Sequence, residues 1–256
     1  MKNKVFSFIT ILCVLLTILF DPSHSFAATT ETLSSLDQNR WIVVVDSNRD
    51  LYKVKMDGSE KTKLFGPIGE AGDRIDHLTI SENGDKVVAT IVSSEQNFIY
   101  VVDLKKNEAN KIAKIDKEFS YWYMNISKCS EYVSFAVNFH GKRRAYIIRS
   151  NGEELRTISV GSNENCYCPS ISNDGKSIAF ISYSSSLFST HYSLYIADLS
   201  LTNAKKISGS TKSHHNPEFS YDDESVFCII DNELVERFQN SVAKYSFSDI
   251  LRYLNE

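Results

Sequence analysis

Pro169-Ser170-Ile171-Ser172-Asn173-Asp174-Gly175-Lys176-Ser177-Ile178-Ala179-Phe180 reads as a short strand, a tight turn and the start of an apolar strand. Asn, Asp and Gly are the residues that tolerate the positive φ of a tight hairpin turn. The pattern is not unique to this place. Aligned on Ser172, four other serines fall into register: Ser35, Ser81, Ser127 and Ser220, at intervals of 46, 46, 45 and 48 residues. Five or six positions after each anchor an apolar run begins, at Trp41-Ile42-Val43, Val87-Val88-Ala89, Tyr132-Val133-Ser134-Phe135, Ile178-Ala179-Phe180 and Val226-Phe227-Cys228.

A second strand, centred on tyrosine, recurs further along each unit. It stands at Leu51-Tyr52-Lys53-Val54, Ile99-Tyr100-Val101-Val102-Asp103, Ala145-Tyr146-Ile147-Ile148 and Leu194-Tyr195-Ile196-Ala197-Asp198. A polar turn and a short closing strand follow, as at Thr62-Lys63-Leu64, Lys111-Ile112, Thr157-Ile158 and Lys206-Ile207. With the strand that leads into each serine, this makes four strands per unit. Four strands at a period in the forties is the mark of a β-propeller blade. The chain is therefore expected to be all-β, a propeller of about five four-stranded blades, with units starting near 33, 79, 125, 170 and 218. A sixth blade is available only if the two ends combine into a further partial one. The fifth unit is the least regular. Residues 231–240 are longer than their counterparts and are read as carrying a helical turn, with Ala243-Lys244-Tyr245 as the tyrosine strand, and residues 248–254 as a closing strand or short helix.

The first residues stand apart from the repeat. Lys2 and Lys4 precede an apolar run from Val5 to Phe20, and Ser25-Phe26-Ala27 offers small residues at the −3 and −1 positions of a cleavage site. This is a signal-peptide pattern, and the run of about 16 residues is shorter than the roughly 20 that a spanning helix needs. Residues 1–27 are assigned as a signal peptide and 28–256 as a single propeller domain. The expected localisation is export: periplasmic, cell-wall-associated or secreted, without membrane insertion after cleavage. Cys13 lacks the small preceding residues of a lipobox. Two of the 28 basic residues and one of the 32 acidic ones lie in the leader, so the remainder carries a net charge of about −5. An acidic chain is a poor partner for nucleic acid or anionic membranes, which select a positive footprint.

Past the leader lie Cys129, Cys166, Cys168 and Cys228. Export permits disulfides. Free or buried thiols are one reading, and a Cys129–Cys168 bridge between neighbouring units is the first pairing to test. Cys166-Tyr167-Cys168 is not a zinc spacing.

The pattern Pro-x-φ-Ser-x-Asp-Gly-Lys-x-Ile-Ala-Phe followed by φ-Tyr-φ-φ-Asp (φ here an apolar residue) resembles the TolB-type repeat, found in TolB-like proteins and in the propeller domains of prolyl oligopeptidase relatives. The resemblance covers residues 33 to 256. It is strongest in the fourth unit and degenerate in the third, where Lys128-Cys129-Ser130 replaces the Asp-Gly turn. It implies that residues just before each anchor line the mouth of the central channel. That set is Asp76 and His77, Trp122 and Tyr123, Tyr167 and Cys168, and His215 and Asn216, with His214 beside them. Aromatic and imidazole groups in one ring suit a ligand held by stacking and a few hydrogen bonds; packing between blades is the competing role for each.

A Gly-x-Ser-x-Gly nucleophile elbow is absent, as is the Asp-x-Asp-x-Asp-Gly loop of a calcium site. No catalytic residue, metal site or cofactor is assigned. The expected function is a non-enzymatic scaffold that binds a protein or peptide of the cell envelope at its channel face. The alternative is a lyase or hydrolase acting on a carbohydrate or small molecule, with His77 or His215 as base and Asp76 nearby.

Overall fold

The computed structural model describes residues 41–245 apart from 56, 117, 119, 162–164, 221, 232 and 239–241. The leader, Ser35 and the segment 248–254 lie outside the described residues.

The strands follow in chain order: β1 (Trp41–Val45), β2 (Leu51–Lys55) and β3 (Lys61–Phe65); β4 (Arg74–Ile80), β5 (Lys86–Val92), β6 (Asn97–Asp103) and β7 (Glu108–Ile115); β8 (Ser120–Ile126), β9 (Tyr132–Phe139), β10 (Lys142–Arg149) and β11 (Arg156–Ile158); β12 (Cys166–Ile171), β13 (Ser177–Ser185), β14 (Thr190–Asp198) and β15 (Lys205–Ser210); β16 (His214–Phe219), β17 (Ser225–Ile230), β18 (Glu233–Phe238) and β19 (Val242–Tyr245). Each group forms one antiparallel sheet with its strands in sequence order, one of three strands and four of four. These are five blades. The strands β4, β8, β12 and β16, which lead into the anchor serines, lie against one another and line the centre.

Side-chain alternation explains why the strands after the anchors are continuously apolar. In β5, Val87, Ala89 and Ile91 pack with Leu51 and Ile68 towards the first blade. Val88, between them, packs with Val133, Phe135 and Val137 of the third blade. Successive residues face opposite sides, and both sides are interior. A larger cluster joins the third, fourth and fifth blades through Ala145, Ile178, Phe180, Leu194, Val226 and Cys228. Each fully buried Ile, Leu or Phe contributes about 1.5–3 kcal/mol, so the blades are held to one another by what lies between them.

The anchor serines act alike in all four described units. The Ser81, Ser127, Ser172 and Ser220 amides donate to the carbonyl five residues on, and their own carbonyls accept from the amide three residues on. That third residue has positive φ each time: Gly84, Ser130, Gly175 and Asp223. The hydroxyl adds a second clamp, accepting the amide of Lys86, Tyr132, Ser177 and Ser225 respectively. It also bonds the side chain two residues on: Asn83, Asp174 or Asp222, and in the third unit the Cys129 thiol. Adjacent turns are tied together, since Asp223 accepts from the Asn173 and Asp174 amides and Ser130 donates to Asn83.

The fifth blade corrects the sequence reading in two places. Residues 233–238 form strand β18 rather than a helical turn, and Ala243-Lys244-Tyr245 belongs to the fourth strand rather than the tyrosine strand. Asp231, at φ 54°, makes the tight reversal that sends the chain straight back along β17. The Cys129–Cys168 bridge is also not formed; no disulfide joins the cysteines at 129, 166, 168 and 228. Cys129 sits in its anchor turn, where its sulfur faces Gly175 of the neighbouring turn, whereas Cys168 lies four residues upstream of Ser172 and contacts Asn216. Among the described residues no helix is long and apolar enough to cross a membrane.

Candidate functional site at the channel

Each innermost strand breaks its register at the same place. The shifts fall between Ile75 and His77, Tyr121 and Tyr123, Tyr167 and Ser170, and His215 and Glu218. In the second and third blades one residue is left out of the ladder, Asp76 and Trp122. In the fourth and fifth it is a pair, Cys168-Pro169 and Asn216-Pro217, whose first members have positive φ of 47° and 46°. Bulges of this kind re-aim side chains and gather near functional sites. Proline fits there because the ladder asks nothing of its missing N–H.

Downstream of the bulges, three blades meet. Tyr123 of β8 donates its hydroxyl to Glu218 Oε1 of β16 at 2.6 Å, reaching past the intervening blade. Ser170 of β12 donates to Glu218 Oε2 at 2.9 Å. Beside them the Cys168 thiol points at Asn216 Oδ1, 3.7 Å away. Tyr123, Asn216 and Glu218 are only half-buried, so this constellation borders open space. Burial nonetheless pushes the Glu218 carboxyl above its ordinary value, and the two hydroxyl donors only partly offset that. Burial first, then the nearby Glu218 charge, raises the Tyr123 hydroxyl well above its usual range. Burial also drives the Cys168 thiol up to about 12, so it is inert as a nucleophile at neutral pH.

The other predicted mouth residues separate into two groups. Tyr167 is fully buried, donates to the His214 carbonyl at 2.6 Å and carries the Arg143 guanidinium 4.5 Å over its ring. His214 is likewise fully buried: its Nδ1 lies 2.8 Å from the Lys212 carbonyl, its Nε2 3.2 Å from Ser208 Oγ, and its ring stacks on Tyr192. These two are structural. His215 packs edge-on against Tyr167 at 6.4 Å, and burial, followed by Arg143 and His214, lowers its pKa. Asp76 and His77 remain at the surface of the second blade, where Asp76 pairs with Arg74 at 2.9 Å and with His77 Nδ1 at 3.2 Å. Trp122 is in β8, and its side chain lies outside what is described. Among the described residues no three His, Cys, Asp or Glu side chains converge to hold a metal ion.

Glu218 and Ser170 were absent from the predicted set. The signal for them is positional: two residues before each anchor stand Thr79, Asn125, Ser170 and Glu218, polar every time, and the fifth is the charged one. At the opposite end of the innermost strands, an open cleft of about 410 Å³ lies between the anchor turns of the second and third blades. Two of its lysines are engaged locally, Lys105 by Asp85 and Lys86 by the Ser130 carbonyl and Ser150.

Comparison with solved structures agrees on the fold. An oligogalacturonate lyase in complex with manganese superposes with a TM-score of 0.64 at 14% identity, covering 80% of this chain and 61% of that one. A second oligogalacturonate lyase, from Vibrio parahaemolyticus, gives 0.60 at 14% identity, covering 80% and 62%. TolB from Acinetobacter baumannii gives 0.53 at 16% identity, covering 80% and 51%. The chain thus spans about three-fifths of the lyases and half of TolB. No protein-family model and no curated protein matches the sequence. At these identities the likeness establishes the β-propeller fold alone, and function has to be argued from the site.

Proposed function

We propose that this protein is an exported, non-enzymatic scaffold that holds a protein or peptide at the channel-mouth face of its propeller. The observation that carries this reading is the placement of the histidines. A lyase or hydrolase at the mouth needs an imidazole free to move a proton, aimed at the same space as its partners. His214 is buried with both ring nitrogens engaged, His215 is packed on Tyr167, and His77 is held at the surface by Asp76. On the same face the β13–β14 hairpin ends in Leu187 and Phe188, 95% and 96% exposed. Apolar groups held out in this way suit a protein partner.

The test is capture of an envelope protein by the immobilised chain, compared across variants. Trp122→Ala and His215→Ala at the mouth are expected to lower capture at least tenfold, and Lys106→Glu, in the cleft at the opposite end, to leave it unchanged. Equal capture by all three overturns the assignment of the mouth. Export is checked separately, by N-terminal sequencing of chain recovered outside the cytoplasm. A terminus at Ala28 supports it, and recovery only as an intact Met1 chain inside the cell counts against it.

A further inference from the structure

We infer that the neck of the channel is a receptor for one primary ammonium group, seated on the Glu218 carboxylate between Tyr123, Ser170 and Asn216. The inference deepens the scaffold reading by naming the chemistry at the centre of its face: a lysine side chain or free amine of the partner.

Consider first what Glu218 lacks. An ionised carboxylate has about four acceptor positions. Tyr123 and Ser170 fill one on each oxygen. No ion pair among the described residues involves Glu218, and no cation is among the groups acting on its carboxyl. Arg143, whose charge acts on the neighbouring Cys168 thiol, has its guanidinium over the rings of Tyr167 and Tyr183, at 4.5 and 5.7 Å. A charged group at the centre of a fold, hydrogen-bonded but unpaired in charge, costs free energy that a bound cation would recover.

The surroundings select the kind of cation. Pro169 and Pro217 each remove a backbone N–H donor from the strands lining the neck. Asn216 Oδ1, towards which the Cys168 thiol points from 3.7 Å, places a further acceptor oxygen beside the carboxylate. An ammonium is a compact group with three donors and no acceptor, whereas a guanidinium is a wide, planar fork. Tyr123 and Glu218 meet across the neck at 2.6 Å, a narrowness that favours the compact group over the wide fork.

Ionisation of Glu218 and cation binding favour each other, so affinity should fall as acid protonates the carboxyl. The other titratable and charged groups around the neck are Tyr123, Cys168, Arg143 and His215. Burial pushes the first two upward, away from neutral pH, and lowers His215, so the acid response is assigned to the carboxyl by its loss in Glu218→Gln.

The experiment titrates the ¹⁵N-labelled full chain with N-acetyl-lysinamide, its neutral counterpart N-acetyl-norleucinamide, and N-acetyl-argininamide, followed by amide shifts of β12 and β16. Saturable binding of the lysine compound is expected, at least tenfold tighter than either of the others and at least tenfold weaker at about pH 4 than at about pH 7.5. Glu218→Gln, which keeps the shape and an acceptor for Tyr123, should remove that preference. The inference is overturned if the norleucine compound binds as well, if the arginine compound binds tighter, or if Glu218→Gln binds lysine unchanged. The ligand and pH comparisons use the unaltered protein and decide the matter even if the variant fails to fold. Loss of amine binding with mouth-dependent capture intact removes the ammonium seat and leaves the scaffold; the converse result removes the scaffold and leaves the seat.

Discussion

At the scale of single residues, Glu218 is where function and stability pull apart. Its carboxyl is raised by burial, so the folded state holds this proton more tightly than the unfolded chain does. Whatever stability the group contributes is therefore present below its unfolded pKa of about 4.3 and is lost as pH rises through the folded value. Glu218→Gln should accordingly raise the melting temperature by a few degrees at about pH 7.5, and the gain should vanish near pH 4. An unchanged or lower melting temperature at neutral pH would mean that the carboxylate is well solvated and stabilising. The same residue marks a limit of sequence reading. Asp76, His77 and the two adjacent histidines drew attention because their side chains carry familiar chemistry, yet what aims a side chain into the channel is the bulge. A bulge is a property of strand pairing, and neither Cys168-Pro169 nor Asn216-Pro217 declares it in isolation.

At the scale of the element, the anchor turn is the unit that the sequence shows most clearly, because all its requirements are local. Ser172 is buried and its hydroxyl both accepts the Ser177 amide and donates within the turn. Ser172→Ala should cost about 1–3 kcal/mol, the range for stranding a buried hydrogen-bonding group, measured by urea denaturation. The glycines of these turns separate backbone strain from crowding. Gly84 and Gly175 have nearly equal φ, 72° and 70°, but a Cβ at Gly84 meets open space while one at Gly175 comes 3.0 Å from Cys129 Sγ. Gly84→Ala should cost about 1–2 kcal/mol, from the left-handed conformation alone, and Gly175→Ala measurably more. Adding Cys129→Ala should erase the difference, and a difference that persists would place its origin in the backbone. The fifth blade shows why the remaining strand assignments were harder. Glu233–Phe238 reads as a helical turn only while its partner strand is unknown; pairing with β17 decides it.

At the scale of the molecule, five sheets are joined face to face by apolar residues, chiefly those on both sides of the strands that follow the anchor turns. A hairpin tip far from those interfaces should contribute little to folding. Leu187 and Phe188 occupy such a tip, where β13 and β14 run to nine residues each, the longest strands described. Holding two large apolar side chains in water has no benefit for the isolated fold. It does have one if a partner covers them, since burying them on association recovers their transfer free energy. The double substitution Leu187→Ser and Phe188→Ser should therefore leave unfolding free energy within about 0.5 kcal/mol of the original and lower partner capture at least tenfold. Lost stability with capture retained would reverse the argument, making the tip a part of the fold and confining recognition to the channel. Lost capture with stability intact would extend the binding face from Glu218 at the neck to the rim of the fourth blade, a span that a folded protein or an extended peptide can bridge and a lone small molecule cannot.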